Sequence, residues 1–98
     1  MPYLIRTYDK PGSADLRAAT RPAHLEFLAP YLPRLLAAGA LLDDDGSTPR
    51  GSLILFDSDD RAEAEALAAD DPYTRAGLFE RVEIVRWRKV IFAGEALA

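Results

Sequence analysis

Short apolar runs alternate with polar, proline- and glycine-rich breaks along this chain, and the spacing predicts a mixed α+β order. Residues 3–8 are aromatic and β-branched and read as a strand, closed by Asp9-Lys10-Pro11-Gly12. Ser13 is placed to cap a helix beginning at Ala14, with Asp15 in the first turn, where the helix dipole favours negative charge. Helix formers dominate residues 14–38, but Pro22, Pro30 and Pro33 interrupt them. An interior proline costs about 3 kcal/mol, so a short helical turn before Pro22 and a longer, kinked or broken helix after it are predicted. Leu25, Leu28, Leu32, Leu35 and Leu36 recur at helical spacing on one face, and Gly39 fits a helix C-cap.

Residues 40–43 read as a second strand and residues 51–56 as a third, joined through the polar turn Asp44-Asp45-Gly46-Ser47-Thr48-Pro49 into an antiparallel hairpin. Ser58 is expected to cap a second helix, with Asp59 and Asp60 at its positive end, running to about Ala69. Asp71-Pro72 opens a further short helical turn that ends at Gly77. Residues 82–87 form the last core strand, with 89–92 extending it or lying at an edge. The resulting order, β-α-β-β-α-β, is ferredoxin-like.

One strand carries an additional message. In Leu53-Ile54-Leu55-Phe56 both alternating faces are apolar, whereas an antiparallel sheet covered by helices on one side normally shows water a polar face. The second face needs a cover: either the tail, through Ile91 and Phe92, or a second copy packed sheet against sheet in a two-fold homodimer. The homodimer is the expectation.

Composition narrows the field. Ninety-eight residues fit a single domain spanning 1–98, and 49% apolar content is too high for disorder. The net charge of −4, with no basic run, argues against nucleic acid and against an anionic membrane surface. The absence of cysteine excludes disulfides, thiolate catalysis and Cys-ligated metals. No signal peptide is evident at the N-terminus, and no apolar run approaches the roughly 18 residues of a membrane span, so a soluble cytoplasmic protein is the expectation.

Three segments, Arg21-Pro22-Ala23-His24-Leu25, Asp71-Pro72-Tyr73-Thr74-Arg75-Ala76-Gly77-Leu78 and Val82-Glu83-Ile84-Val85-Arg86-Trp87, together with Asp9-Lys10, resemble the YciI-like (YCII-related) family over nearly the whole chain and in the right order. That resemblance implies a ferredoxin-like dimeric α+β barrel and a site built around a histidine and an aspartate, here His24 and Asp71, with Arg21 as neighbour. Some relatives resemble lyases acting on chlorinated hydroxyaromatics. The chain departs from the family pattern at Gly39-Ala40, where Gly-Pro is usual, and in its short acidic loop, 43–50.

The residues themselves give chemistry to weigh. His24, the only histidine, carries the one side chain whose ordinary pKa lies near neutrality. A carboxylate on one ring nitrogen would fix its tautomer and leave the other nitrogen for a substrate proton. Asp71 is a candidate for that partner, and equally an N-cap for the turn at Pro72. Arg21, one turn before His24, fits an anionic substrate group or a surface ion pair with Asp15 or Glu26. Tyr31 and Tyr73 fit an aromatic-tolerant pocket or ordinary packing. Asp43, Asp44 and Asp45 lack an alternating ligand pattern and read as a solvated turn, so no metal is assigned. The expectation is a small cofactor-independent enzyme of lyase or isomerase type, His24 and Asp71 being catalytic and Arg21, Tyr31 and Tyr73 binding a small, hydroxyaromatic molecule. The alternative is a non-catalytic dimeric small-molecule-binding or accessory domain.

Overall fold

In the computed structural model, which describes residues 1–97, the chain follows the order β1 (Tyr3–Asp9), α1 (Ala14–Leu28), a 3₁₀ segment (Ala29–Arg34), β2 (Leu35–Leu42), β3 (Pro49–Phe56), α2 (Arg61–Asp70), α3 (Pro72–Arg75) and β4 (Phe79–Arg86). A small hairpin of β5 (Ile91–Phe92) and β6 (Glu95–Ala96) follows. The four long strands form one antiparallel sheet in the order β2-β3-β1-β4. This is the ferredoxin-like α+β arrangement that the sequence pattern predicts.

The pleat puts alternate residues on opposite faces. Directly opposed pairs therefore define two layers: Tyr3, Ile5 and Thr7 of β1 share the helix-covered face with Phe56, Ile54 and Ser52 of β3. Leu28 of α1 and Ala64 and Leu67 of α2 close over Tyr3, Ile5, Ile54 and Phe56 to make the buried core. Gly51 shows how tightly β3 seats on β1: a Cβ there would lie 2.0 Å from the Thr7 carbonyl oxygen.

Three local expectations are corrected. First, α1 runs unbroken through Pro22 and ends at Leu28. The proline leaves the Ala18 carbonyl without its helical donor, but both residues lie on the exposed side, where water replaces the bond. Second, residues 35–38, read as helix, belong to β2, and Gly39 sits mid-strand opposite Leu53 rather than at a cap. Pairing with β3 outweighs the helix propensity of Leu and Ala. Because the helix stops early, Leu28 alone of the expected stripe is fully buried, while Leu25 and Leu32 are exposed. Third, α2 is capped by Asp60, whose carboxylate accepts from the Ala62 amide at 2.9 Å. Ser58 stands just outside; its hydroxyl accepts from the Asp60 amide and donates to Glu63. Ser13 likewise occupies the N-cap position of α1 without a side-chain bond.

The other sheet face carries Leu4, Leu53, Leu55 and Val85 beside Arg6, Tyr8 and Glu83. The C-terminal hairpin touches Trp87 through Phe92 but leaves Val85 52% exposed. No helix of the described residues is long and apolar enough to cross a membrane.

Candidate active site

The site forms where α1, α3 and the edge strand β2 meet. Asp71 ends α2 and caps α3: its Oδ1 accepts from the Tyr73 amide at 2.9 Å. Pro72 fits the first helical position, where its missing N–H costs nothing. Gly77, in the left-handed region at φ 76°, closes the turn, and Lys10 donates its amide to Leu78 at 2.9 Å to tie the segment to the end of β1. The Asp71 carboxylate is thus buried and fixed in direction.

His24 of α1 meets it. Nδ1 lies 2.8 Å from Asp71 Oδ1 and 3.0 Å from Oδ2. A carboxylate only accepts, so Nδ1 donates to Asp71 and Nε2 is the nitrogen left open. Nε2 makes no hydrogen bond to the described residues. The imidazole stacks on the Tyr73 ring, with centroids 4.0 Å apart and planes 19° from parallel. Asp71 therefore holds both roles weighed for it, cap and imidazole partner.

A cavity of about 190 Å³ opens beside His24, lined by Arg17, Arg21, Leu25 and Leu28 of α1, Ala38 to Ala40 of β2, Ser52, Ile54 and Tyr73. On β2 only the small side chains of Ala38 and Ala40, with the Gly39 backbone between them, face α1 at this height. Arg21 stands exposed at its mouth and makes no ion pair with the described residues; the alternative weighed for it, a pair with Asp15 or Glu26, is not seen. Tyr73 forms a wall. Tyr31 is elsewhere: it packs on Phe27 and edge-on against Phe56, at centroid distances of 5.7 and 6.2 Å, and belongs with the core.

Sequence reasoning missed Arg17. Its guanidinium is bound in a fork by Asp9, Nε to Oδ2 at 2.7 Å and Nη2 to Oδ1 at 2.9 Å, and Nη2 also donates to Ser52 Oγ at 2.8 Å. Both side chains of this pair are more than nine-tenths buried. Burial weighs against the Arg17 charge, but the hydrogen bond and charge of Asp9 outweigh it and hold the guanidinium above its ordinary value. A signal was available: residues 17, 21 and 24 fall on one helical face. The acidic turn is the solvated one expected, with Asp43 paired to Arg50 and Asp45 accepting from the Ser47 and Thr48 amides.

This fold and site define a class. The chain belongs to the YCII-related domain family, matched over residues 1–88. Protein YciI of Escherichia coli and of Shigella flexneri are each 35% identical to it over 97 residues, spanning 92% of this chain and 99% of their own. Among solved structures, 5-chloro-2-hydroxyhydroquinone dehydrochlorinase from Burkholderia phenoliruptrix, in complex with 2,5-dihydroxybenzoquinone, superposes with a TM-score of 0.83 at 30% identity, covering 90% of this chain and 94% of that one. An antibiotic biosynthesis monooxygenase of known crystal structure shares the fold alone, at 18% identity, a TM-score of 0.52 and coverage of 91% of this chain and 100% of that one.

Proposed function

We propose that this protein is a small acid/base enzyme of lyase or isomerase type acting on a single-ring hydroxyaromatic molecule. His24 Nε2 is the proton-transfer atom, Asp71 holds the tautomer and ring direction, Tyr73 supports the imidazole, and Arg21 draws anionic substrate to the mouth. The observation that carries this reading is the pairing of Nδ1 with a buried, capped carboxylate at the wall of a mostly apolar cavity. Such a base needs no further activation to take a proton from a ring hydroxyl or ring carbon held against it. The cavity suits one substituted ring, since an apolar cavity of about 150 Å³ takes benzene. The dehydrochlorinase relative gives the substrate class its support: loss of HCl from a chlorinated hydroxyhydroquinone is an elimination driven by proton removal, with chloride as leaving group.

The test is chloride release from 5-chloro-2-hydroxyhydroquinone. Wild-type protein is expected to release chloride, and His24→Gln to lose about 10²- to 10⁴-fold in kcat, the usual worth of a positioned general base, with its circular dichroism unchanged. Turnover within tenfold of wild type in His24→Gln sinks the assignment. A wild type that binds 2,5-dihydroxybenzoquinone without releasing chloride is instead a binding module.

We further propose that the working unit is a two-fold homodimer built on the open sheet face. The support is the apolar set Leu4, Leu53, Leu55 and Val85, over which no helix of the described residues packs as α1 and α2 pack over the other face. Arg6 and Glu83 on the same face provide both signs of charge, which a two-fold axis can match.

A further inference from the structure

Two unfinished charges stand side by side on the open sheet face. Arg6 of β1 and Glu83 of β4 are directly opposed in the register, yet they form no ion pair with each other. Arg6 is half-buried and lies over the Tyr8 ring, its Cζ 4.3 Å from the centroid. It makes no hydrogen bond or ion pair to the described residues, and its Nε is enclosed without an acceptor. Glu83 is engaged elsewhere. Its Oε1 accepts from the Tyr8 hydroxyl at 2.6 Å and lies 3.7 Å from Arg81 Nη2, while Oε2 has no donor among the described residues. A guanidinium offers five N–H donors and an ionised carboxylate only accepts. The protomer therefore leaves a cation and a carboxylate oxygen open at neighbouring positions. Association makes that costly. A sheet packed on this face takes Arg6 out of water beside Leu53, and a desolvated cation without a carboxylate is strongly destabilising. Of the residues in register on this face, Glu83 is the one carboxylate. Glu80 sits at the strand end, beside the register shift between Tyr8 and Asp9.

We infer that Arg6 of each protomer pairs with Glu83 of the partner subunit, and that these reciprocal ion pairs fix the register in which two copies of this chain recognise each other. The inference rests on the reading of the open sheet face as a homodimer contact. A two-fold axis makes the arrangement self-complementary, because forming one pair forms the other. Packed sheets lie about 10 Å apart, a gap that an arginine and a glutamate reaching from opposite sides span together. Tyr8 readies both groups: its hydroxyl holds the Glu83 carboxylate and its ring backs the Arg6 guanidinium. The apolar set Leu4, Leu53, Leu55 and Val85 supplies contact area but tolerates sliding. A slipped register would strand a buried charge on each subunit, so the pairs contribute specificity more than affinity.

Charge reversal tests this, read by sedimentation with circular dichroism as the check on folding. Arg6→Glu alone sets carboxylate against carboxylate at both pairs, and Glu83→Arg alone sets guanidinium against guanidinium. Each is expected to weaken dimerisation by roughly a hundredfold or more and to sediment as a single chain. An equimolar mixture of the two variants is expected to regain the dimer, because every contact between unlike chains then joins opposite charges. The double variant Arg6→Glu/Glu83→Arg is expected to regain it alone. A pair formed within one chain would give no rescue on mixing. Singly reversed chains that remain dimers overturn the pairing; if Val85→Asp is then a monomer, the homodimer reading stands without it. Folded single variants whose mixture stays monomeric also overturn the pairing. A wild type that sediments as one chain sinks the homodimer reading and this inference together. If either reversed chain fails to fold, Arg6→Cys and Glu83→Cys decide. In a chain without cysteine of its own, a bis-maleimide should join their mixture faster than it joins either alone, and equal rates overturn the pairing.

Discussion

Asp71 uses one oxygen for two donors, the Tyr73 amide and the His24 ring, and the second oxygen lies close to the same ring. The consequence passes to Tyr73, which is enclosed by the groups that Asp71 organises. Burial, the largest influence, pushes the Tyr73 phenol above the ordinary tyrosine value; Arg17 pulls the other way and Asp71 adds to the rise. A proton held more tightly in the folded state stabilises it fully below the unfolded pKa, about 10, and that contribution is lost as pH rises through the folded value. Of the four tyrosines, Tyr73 is expected to give a late step in phenolate absorbance. Tyr73→Phe should remove that step and flatten the loss of stability above about pH 10. Equal slopes for the two proteins in alkaline melts would contradict the assignment. The same neighbourhood shows what the sequence could tell. His24 and Asp71 stand out singly, as the only histidine and a carboxylate before proline, but their pairing comes from the resemblance to the family. Arg17 does not stand out, although it shares the helix face of His24, because its partners Asp9 and Ser52 come from two strands whose register local sequence does not specify.

Propensity decides elements only where tertiary pairing is silent. The turn at Asp71-Pro72, the hairpin after Leu42 and the start of α1 follow residue types with fixed backbone preferences, and all three lie where the pattern put them. Residues 35–38 went the other way, since Leu and Ala suit a helix until Pro30 and Pro33 end it and β3 offers an edge. That switch gives the cavity its small-residue wall, the strand segment Ala38, Gly39 and Ala40. Ala40→Leu tests the link from element to site. Ala40 is exposed in the protomer, so the melting temperature should move little, within about 0.5 kcal/mol of stability. Affinity for 2,5-dihydroxybenzoquinone should fall roughly tenfold or more, as extra methylenes in a filled space cost about 1–3 kcal/mol. Undiminished binding by a folded Ala40→Leu protein would place the ligand somewhere other than this cleft.

Across the molecule, the two sheet faces present the same kind of side chain to different surroundings. One meets α1 and α2; the other presents Leu4, Leu53, Leu55 and Val85 without a covering layer among the described residues. A domain of this size buries only about 60–65% of its unfolded surface, so a second apolar face is costly to leave in water. A second copy can bury it without a new element, and a two-fold axis pairs each residue with its counterpart. Sedimentation of the wild type should then give twice the 10.8 kDa of one chain. Val85→Asp is the discriminating variant: 52% exposed in the protomer, it should leave the fold almost untouched. Across a sheet-on-sheet contact it would bury a charge with no partner, a change that costs several kcal/mol. The expected result is a folded monomer with an unchanged circular dichroism spectrum. A wild type that sediments as a single chain, or a Val85→Asp protein that remains a dimer, would mean that this face is sheltered otherwise or not at all.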